Sequence, residues 1–540
     1  MKRLKLAHSL RRKASKILNY GRFSPQNGIH GHVVVIRNTA FLVLLPFTLF
    51  AQAPPQQTGS SAIQLPLSGR AGQSGSVNTN QSTVNVGGAN SVNLINSTVD
   101  VQGPYRGSVA SGINTGIVIP ITLDYALKLG LQYNLGTVAQ AQSIRSAQGQ
   151  RYQALSALLP NINGVLREDV QQTNLAALGF RFNFPGVRIP TVVGPYNYFD
   201  LRATLTQTVA DLTRLRNLRA VTENVKAAQL TAKDARDLVV LAIGGSYLQV
   251  GTALARLNAA RAQVETAQAV YQQADDRHKA GLNALIDANR ARVELQTEQQ
   301  RLRSLQTDYD KDRLTFARII GLPLGQPFVL ADQLPYTPLA DLTLTTALDR
   351  ASSQRADLQA AHAQVRAAEL VVKAAHAERY PTLAISTDYG VIGTNPSQSH
   401  GTFTFSGGLN FPIYQGTRVK GDILQADAAL EQRKAELEDI RGRIDYDVRN
   451  AFLDLESAAD QVVVAKSNVT LATETLTQAR DRFSAGVADT VEVTQAQESV
   501  ATANNDYISA VYSHNLAKVT LARSLGEAEQ NVRQFLKGVK

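Results

Sequence analysis

The chain has 540 residues and no cysteine, which excludes a disulfide framework, a thiolate metal site and a lipid-modified N-terminal cysteine. Its formal charge of +11 reads as a nucleic-acid signal only until it is located. Nine Lys and Arg stand in residues 1–38 and no Asp or Glu precedes Asp100, so the remainder carries only about +2 and nucleic acid is excluded as a partner class.

The first element is the apolar run Thr39–Phe50, about a dozen residues and too short to span a bilayer as a helix. Basic residues precede it and Ala51-Gln52-Ala53 follows, the order of a secretory signal peptide. Pro54 hinders cleavage after Ala53, so cleavage is expected after Ala51. The basic leader is long, which leaves the start of translation open. Residues 54–118 are rich in Gln, Ser, Gly, Asn and Thr and read as a flexible extension. Within it Ser82–Val86 and Ser97–Val101 alternate like short strands.

A helix is expected from Ile121 to about Leu158, stopped by Pro160, and a matching one from Leu342 to just before Pro381. After each come two stretches of period two: Asn161–Gln172 with Asn197–Val209, and Leu383–Gly393 with Thr402–Ile413. Such strands face two different environments, and their length of about ten residues suits a membrane-spanning barrel. Four strands do not close a barrel alone, so partner chains are implied.

Two long Pro-free helices follow, about Ala210–Lys279 and Gln415–Ser484, with Gly244-Gly245 a candidate bend in the first. Seventy residues make about 105 Å of helix. Each ends in a near-identical break, Asp276-Arg277-His278-Lys279-Ala280-Gly281-Leu282 and Asp481-Arg482-Phe483-Ser484-Ala485-Gly486-Val487, offset by 205 residues. The seam upstream of the first break (Leu257, Ala260, Val264, Ala267, Tyr271, Ala274) maps by the same offset onto Val462, Ala465, Val469, Ala472, Leu476 and Ala479. Steps of three and four are those of a coiled coil, and the chain is an internal duplication. Shorter helices return at about Ile286–Ile319 and Val491–Ser524. The seam resumes there at Ala288, Ala291, Leu295, Leu302, Leu305, Tyr309 and Phe316, interrupted by Glu298 and Asp312.

Helix, β-hairpin, long helix, glycine-tipped turn and helix, done twice behind a signal peptide, resembles the TolC-type outer-membrane efflux family over roughly residues 121–527. Leu409-Asn410-Phe411-Pro412-Ile413-Tyr414-Gln415-Gly416 is similar to that family's strand-to-helix junction. The first-repeat counterpart Leu205–Leu212 lacks both its Pro and its Gly. The resemblance implies a mainly α fold with membrane β: a homotrimer with a twelve-stranded β-barrel, four strands per chain, on a periplasmic α-helical coiled-coil tunnel. It implies a passive exit duct in the Gram-negative outer membrane, with a long periplasmic portion, served by a periplasmic adaptor and an inner-membrane transporter. Outer-membrane lipid surrounds the barrel. The adaptor-contact role carries onto Arg277, Gly281, Leu282, Arg482, Gly486 and Val487, and a pore-entrance role onto Asp287 and Glu492. Where the family pattern has a further acid and a basic locking residue, this chain has Gln495 and Ala488.

The resulting organisation is a signal peptide (1–51), a polar extension (52–118), a first repeat (119–321), a connector (322–341), a second repeat (342–527) and a tail (528–540). Against the site roles stand plain ones: a glycine after a helix stops it, and an acid in a first helical turn answers the helix dipole. The alternative function is a periplasmic coiled-coil scaffold or adaptor without a pore, which would not need two-sided strands in both repeats. The eight histidines show no ligand spacing, and Asp308–Arg313 lacks the loop glycine and closing Glu of an EF-hand. No phosphate loop, HExxH or nucleophile elbow occurs, so neither an enzyme nor a cofactor is expected. The transported substrate is not legible, because in a passive duct the pump selects.

Overall fold

The structure, a computed structural model, describes residues 61–66, 75–84, 94–180, 186, 189–282, 284–332, 335–339 and 342–537. The signal-peptide assignment lies outside them. The described chain opens with two strands, β1 (Val77–Val84) and β2 (Leu94–Val101), paired antiparallel. A short β3 (Ile119–Ile121) leads into α1 (Leu123–Tyr133) and α2 (Leu135–Ser156). The single helix expected here is therefore two. Asn134 breaks it: the residue is fully buried, and its side-chain amide donates to the carbonyls of Tyr105 (2.9 Å) and Ile319 (3.2 Å). Its Oδ1 accepts from the Gly136 N–H at 2.8 Å, which starts the second helix as an N-cap.

Strands β4 (Asn161–Asn174) and β5 (Val192–Ala210) come next, then α3 (Leu212–Lys279) and α4 (Leu285–Ile320). α3 continues as one helix through Gly244 and Gly245. β6 (Phe328–Leu330) pairs in parallel with β3 and returns the chain to its beginning. The second repeat repeats the scheme. Its opening helix is again two, α5 (Leu344–Gln354) and α6 (Ala356–Ala377), parted at the buried Arg355. Then follow β7 (Thr382–Gly393), β8 (His400–Asn410), α7 (Arg418–Ser484), α8 (Thr490–Ser524) and a closing helix α9 (Ala528–Lys537).

The four long strands form one sheet in the order β4-β5-β7-β8. Register makes its two faces chemically opposite. One carries Leu166, Leu201 and Val391 abreast, then Ala203, Tyr389 and Phe403, then Ile162, Leu205, Thr387 and Phe405. The other carries Thr204, Asp388 and Thr404, then Thr206, Ser386 and Ser406. Arg202, also on this face, donates from Nε to Asp200 at 2.6 Å and comes within 3.6 Å of Asp388. Since side chains alternate along a strand, the period-two sequence becomes an apolar and a polar surface.

The main core lies where the two repeats meet, with Ile121, Leu123, Ile243, Tyr247, Phe316, Leu516, Leu521 and Leu525 all but inaccessible. Tyr247 meets Phe316 edge-on at 5.8 Å between ring centroids. Each such side chain contributes about 1.5–3 kcal/mol by leaving water. The apolar stretch of α3 belongs to this core, and its hydropathy reflects burial. The C-terminal tail joins in through Val532 and Leu536.

The described parts of the N-terminal extension pack against the repeats. Val77, Val99 and Val101 pack on the same core, and a Cβ on Gly245 of α3 would run into Val99. Upstream, Ala62 N–H donates to Glu378 at 2.6 Å, Ile63 N–H to Asn217 Oδ1 at 3.3 Å, and Arg433 reaches the Pro66 carbonyl at 2.7 Å. A polar, glycine-rich stretch can still dock when distant side chains supply partners for its backbone.

Candidate functional site: the paired hairpin tips

Both long hairpins end in the same turn. After Lys279 the chain leaves the helix at Ala280 and turns at Gly281, φ +74°. Gly281 N–H donates to the His278 carbonyl (2.9 Å) and Leu282 N–H to the Arg277 carbonyl (2.9 Å). In the second repeat Gly486, also φ +74°, donates to Phe483 (3.1 Å) and Val487 to Arg482 (2.9 Å). The left-handed glycine satisfies the last helical carbonyls, which is what a Schellman ending does. A Cβ at either glycine would meet open space, so only the backbone conformation resists substitution. Gly281→Ala and Gly486→Ala should each cost on the order of 1 kcal/mol, read as a small fall in the melting transition of the purified protein.

The residue after each glycine projects outward: Leu282 is 75% exposed and Val487 71%. Around the first tip Leu285 and Ile286 are also exposed. These side chains face solvent and lie outside the small core near the tips.

The two arginines behave differently. Arg277 reaches across to the second hairpin, donating to the carbonyls of Phe483 and Ser484, each at 2.9 Å. Its guanidinium also stands 4.8 Å from the Phe483 ring centroid. Arg482 stays within its own hairpin and pairs with Glu492 at 3.0 Å. Glu492 opens α8, where its N–H donates to the N-cap Asp489 at 3.1 Å. Asp287 sits in the first turn of α4 and approaches only Arg290, at 3.9 Å, among the described residues. Thus Arg277, Arg482 and Glu492 all have partners within the chain, whereas Leu282 and Val487 face outward.

Phe483 was not among the expected site residues. It is 3% exposed and joins Val270, Ala274, Ala291, Leu476, Ala479 and Val493 in a small core that binds the two hairpins near their tips. The signal that marks it is the one aromatic difference between the tips, since the first repeat has His278 at the matching place.

A family model described as "Outer membrane efflux protein" matches residues 129–322 and 347–527. The chain belongs to this family. Among its relatives, the pyoverdine export outer membrane protein of Pseudomonas putida is 23% identical over 318 residues, covering 56% of this chain and 65% of that one. This chain therefore spans just under two thirds of that relative. The outer membrane protein TolC of Escherichia coli is 23% identical over 340 residues, 60% of this chain and 68% of that one. The outer membrane channel CmeC of Campylobacter jejuni superposes with a TM-score of 0.66 at 16% identity, over 77% of this chain and 90% of that one. The open MtrE channel of Neisseria gonorrhoeae gives 0.55 at 15% identity, over 86% and 98%. The helical-tunnel channel fold is shared, and membership of this family places the chain in the outer membrane.

Proposed function

We propose that three copies of this chain form the exit duct of a tripartite export system, closing a twelve-stranded barrel above a periplasmic helical tunnel. One observation carries the reading. The sheet is apolar on one face, polar on the other, and open at both edges, β4 and β8, among the described residues. In lipid an unpaired strand edge costs several kcal/mol per backbone group, so a two-faced membrane sheet must close on itself. Four strands per chain reach closure with partner copies, and the polar faces then line a lumen. An adaptor docks on Leu282, Val487 and the glycine turns, while Asp287 and Glu492 stand at the entrance. The transported compound is chosen by the pump, which a passive tube does not do. In a mild detergent the native mass should be that of a trimer. A stable monomer, or a dimer, would end the twelve-strand reading.

A further inference from the structure

The connector between the repeats lies against α8. Among its described residues 335–339, Tyr336 sets its ring on His514, 4.7 Å between ring centroids, and packs against Val462, Ala465 and Ala510. One residue on, both Thr337 oxygens accept from the Lys518 ammonium, the hydroxyl at 3.0 Å. That hydroxyl in turn donates to the Leu536 carbonyl of α9 at 3.2 Å. Residues 336 and 337 thus join α7, α8 and α9.

Two basic side chains lie under this segment, four residues apart and so on one face of α8. His514 is 1% exposed and Lys518 0%. A lysine taken out of water needs acceptors, and Thr337 supplies two. His514 is less well provided. Its Nδ1 is shut off from solvent and has no hydrogen-bond partner among the described residues. A neutral imidazole tolerates this, because one of its ring nitrogens carries no hydrogen. An imidazolium does not: both nitrogens become donors, and the new charge stands beside that of Lys518.

Nothing around the pair offsets a second charge. Burial pushes His514 down from 6.5 to about 4, Lys518 pushes the same way, and the Asn515 side chain pulls back. Burial brings Lys518 down only to about 8, so it stays charged in acid. Tyr336 faces the imidazole from the connector, and α7 brings Val462 and Ala465 to the same cluster. Arg256 of α3 is bound further along α8, at Ser509 (2.8 Å), and does not act on His514. Among the described residues no carboxylate acts on either His514 or Lys518.

We propose that the connector is an acid-released strap: protonation of His514 beside Lys518 lifts residues 335–339 off α8. A depressed imidazole makes the docked state the poorer proton acceptor, whereas a ring returned to water takes its proton near 6.5. Docking is therefore at full strength above about pH 6.5 and is lost as pH falls towards about 4, by up to about tenfold per pH unit. The device stands apart from the export reading, because it lies at the joint between the repeats and not in the barrel or the tips.

The chain has no cysteine, so Pro338→Cys places a single thiol on an exposed connector position for a nitroxide spin label. In the full-length protein in mild detergent, electron paramagnetic resonance should show an immobilised label at about pH 7.5. The ratio of mobile to immobilised label should rise at least about tenfold by about pH 4.5. His514→Phe keeps a ring against Tyr336 but takes no proton, so its spectrum should not change over this range. His514→Gln, equally without charge, serves where phenylalanine disturbs the packing. The same label at Ser467→Cys, an exposed position on α7, reports general unfolding. No acid response with His514 in place, a response that persists in His514→Phe or His514→Gln, or an equal response at position 467 would overturn the proposal.

Discussion

A chain carrying both Leu282→Asp and Val487→Asp is expected to reach the outer membrane as a folded trimer and to lose export. Both side chains lie outside the turn hydrogen bonds, which use only backbone atoms at these two positions. Both are largely exposed, so neither contributes to the small core around Phe483. Replacing them therefore leaves the tips folded. What changes is the outward surface, where two apolar contacts become two charges that docking would have to desolvate. Interface anchors of this kind are worth about 2 kcal/mol or more each, and a trimer presents every tip three times. Export of a reporter drug should fall at least about tenfold while trimer yield stays within about twofold. Full export at wild-type protein level would show the tips to be turns and nothing else.

Gly245→Leu should release the N-terminal hairpin. Gly245 lies in the middle of α3, where glycine is a poor helix former, and its reason for being there is on the facing strand. A Cβ at this position would collide with Val99 of β2, so any larger residue must push that strand outward. Overpacking at a tight contact costs typically about 1–3 kcal/mol. Undocking also returns Val77 and Val101 to water. The amides of β1 and β2 should exchange with solvent about tenfold to a hundredfold faster, with α7 and α8 unchanged. Gly251→Ala is the control, because a Cβ there meets only ordinary contact with Leu330 at 3.9 Å. Equal protection in Gly245→Leu and wild type would mean that Val99 does not hold the extension down.

The two experiments probe different kinds of information. The tips were legible because everything that makes them is local. Gly281 and Gly486 must take a positive φ, the hydrogen bonds of the turn run back three to five residues, and the 205-residue repeat of the motif marks both. The seams were legible for a similar reason. Leu257, Ala260, Ala267 and Ala274, with Val462, Ala465, Leu476 and Ala479, are all buried, because a helix of fixed pitch puts every third or fourth residue on one face. The strands followed from period two, and register then sorted their residues onto an apolar and a polar face.

Other features depended on residues far away in the sequence. Helical period continues unbroken across Asn134 and Arg355, yet each is a break, because Asn134 binds carbonyls 29 and 185 residues away and Arg355 a carboxylate 92 away. Arg277 appears in its motif as one more basic residue at a helix end. Only the packing of one hairpin on the other gives it the Phe483 and Ser484 carbonyls, 206 and 207 residues on. The polar extension reads as a linker because its own composition buries little, and its described parts meet a glycine on α3 and Asn217, Glu378 and Arg433. Period, turn chemistry and duplication are set by neighbours a few residues apart, so the sequence alone determined the repeat, the strands and the tips. Which side chain meets which carbonyl is set by how the two repeats pack, and only the tertiary structure decided that.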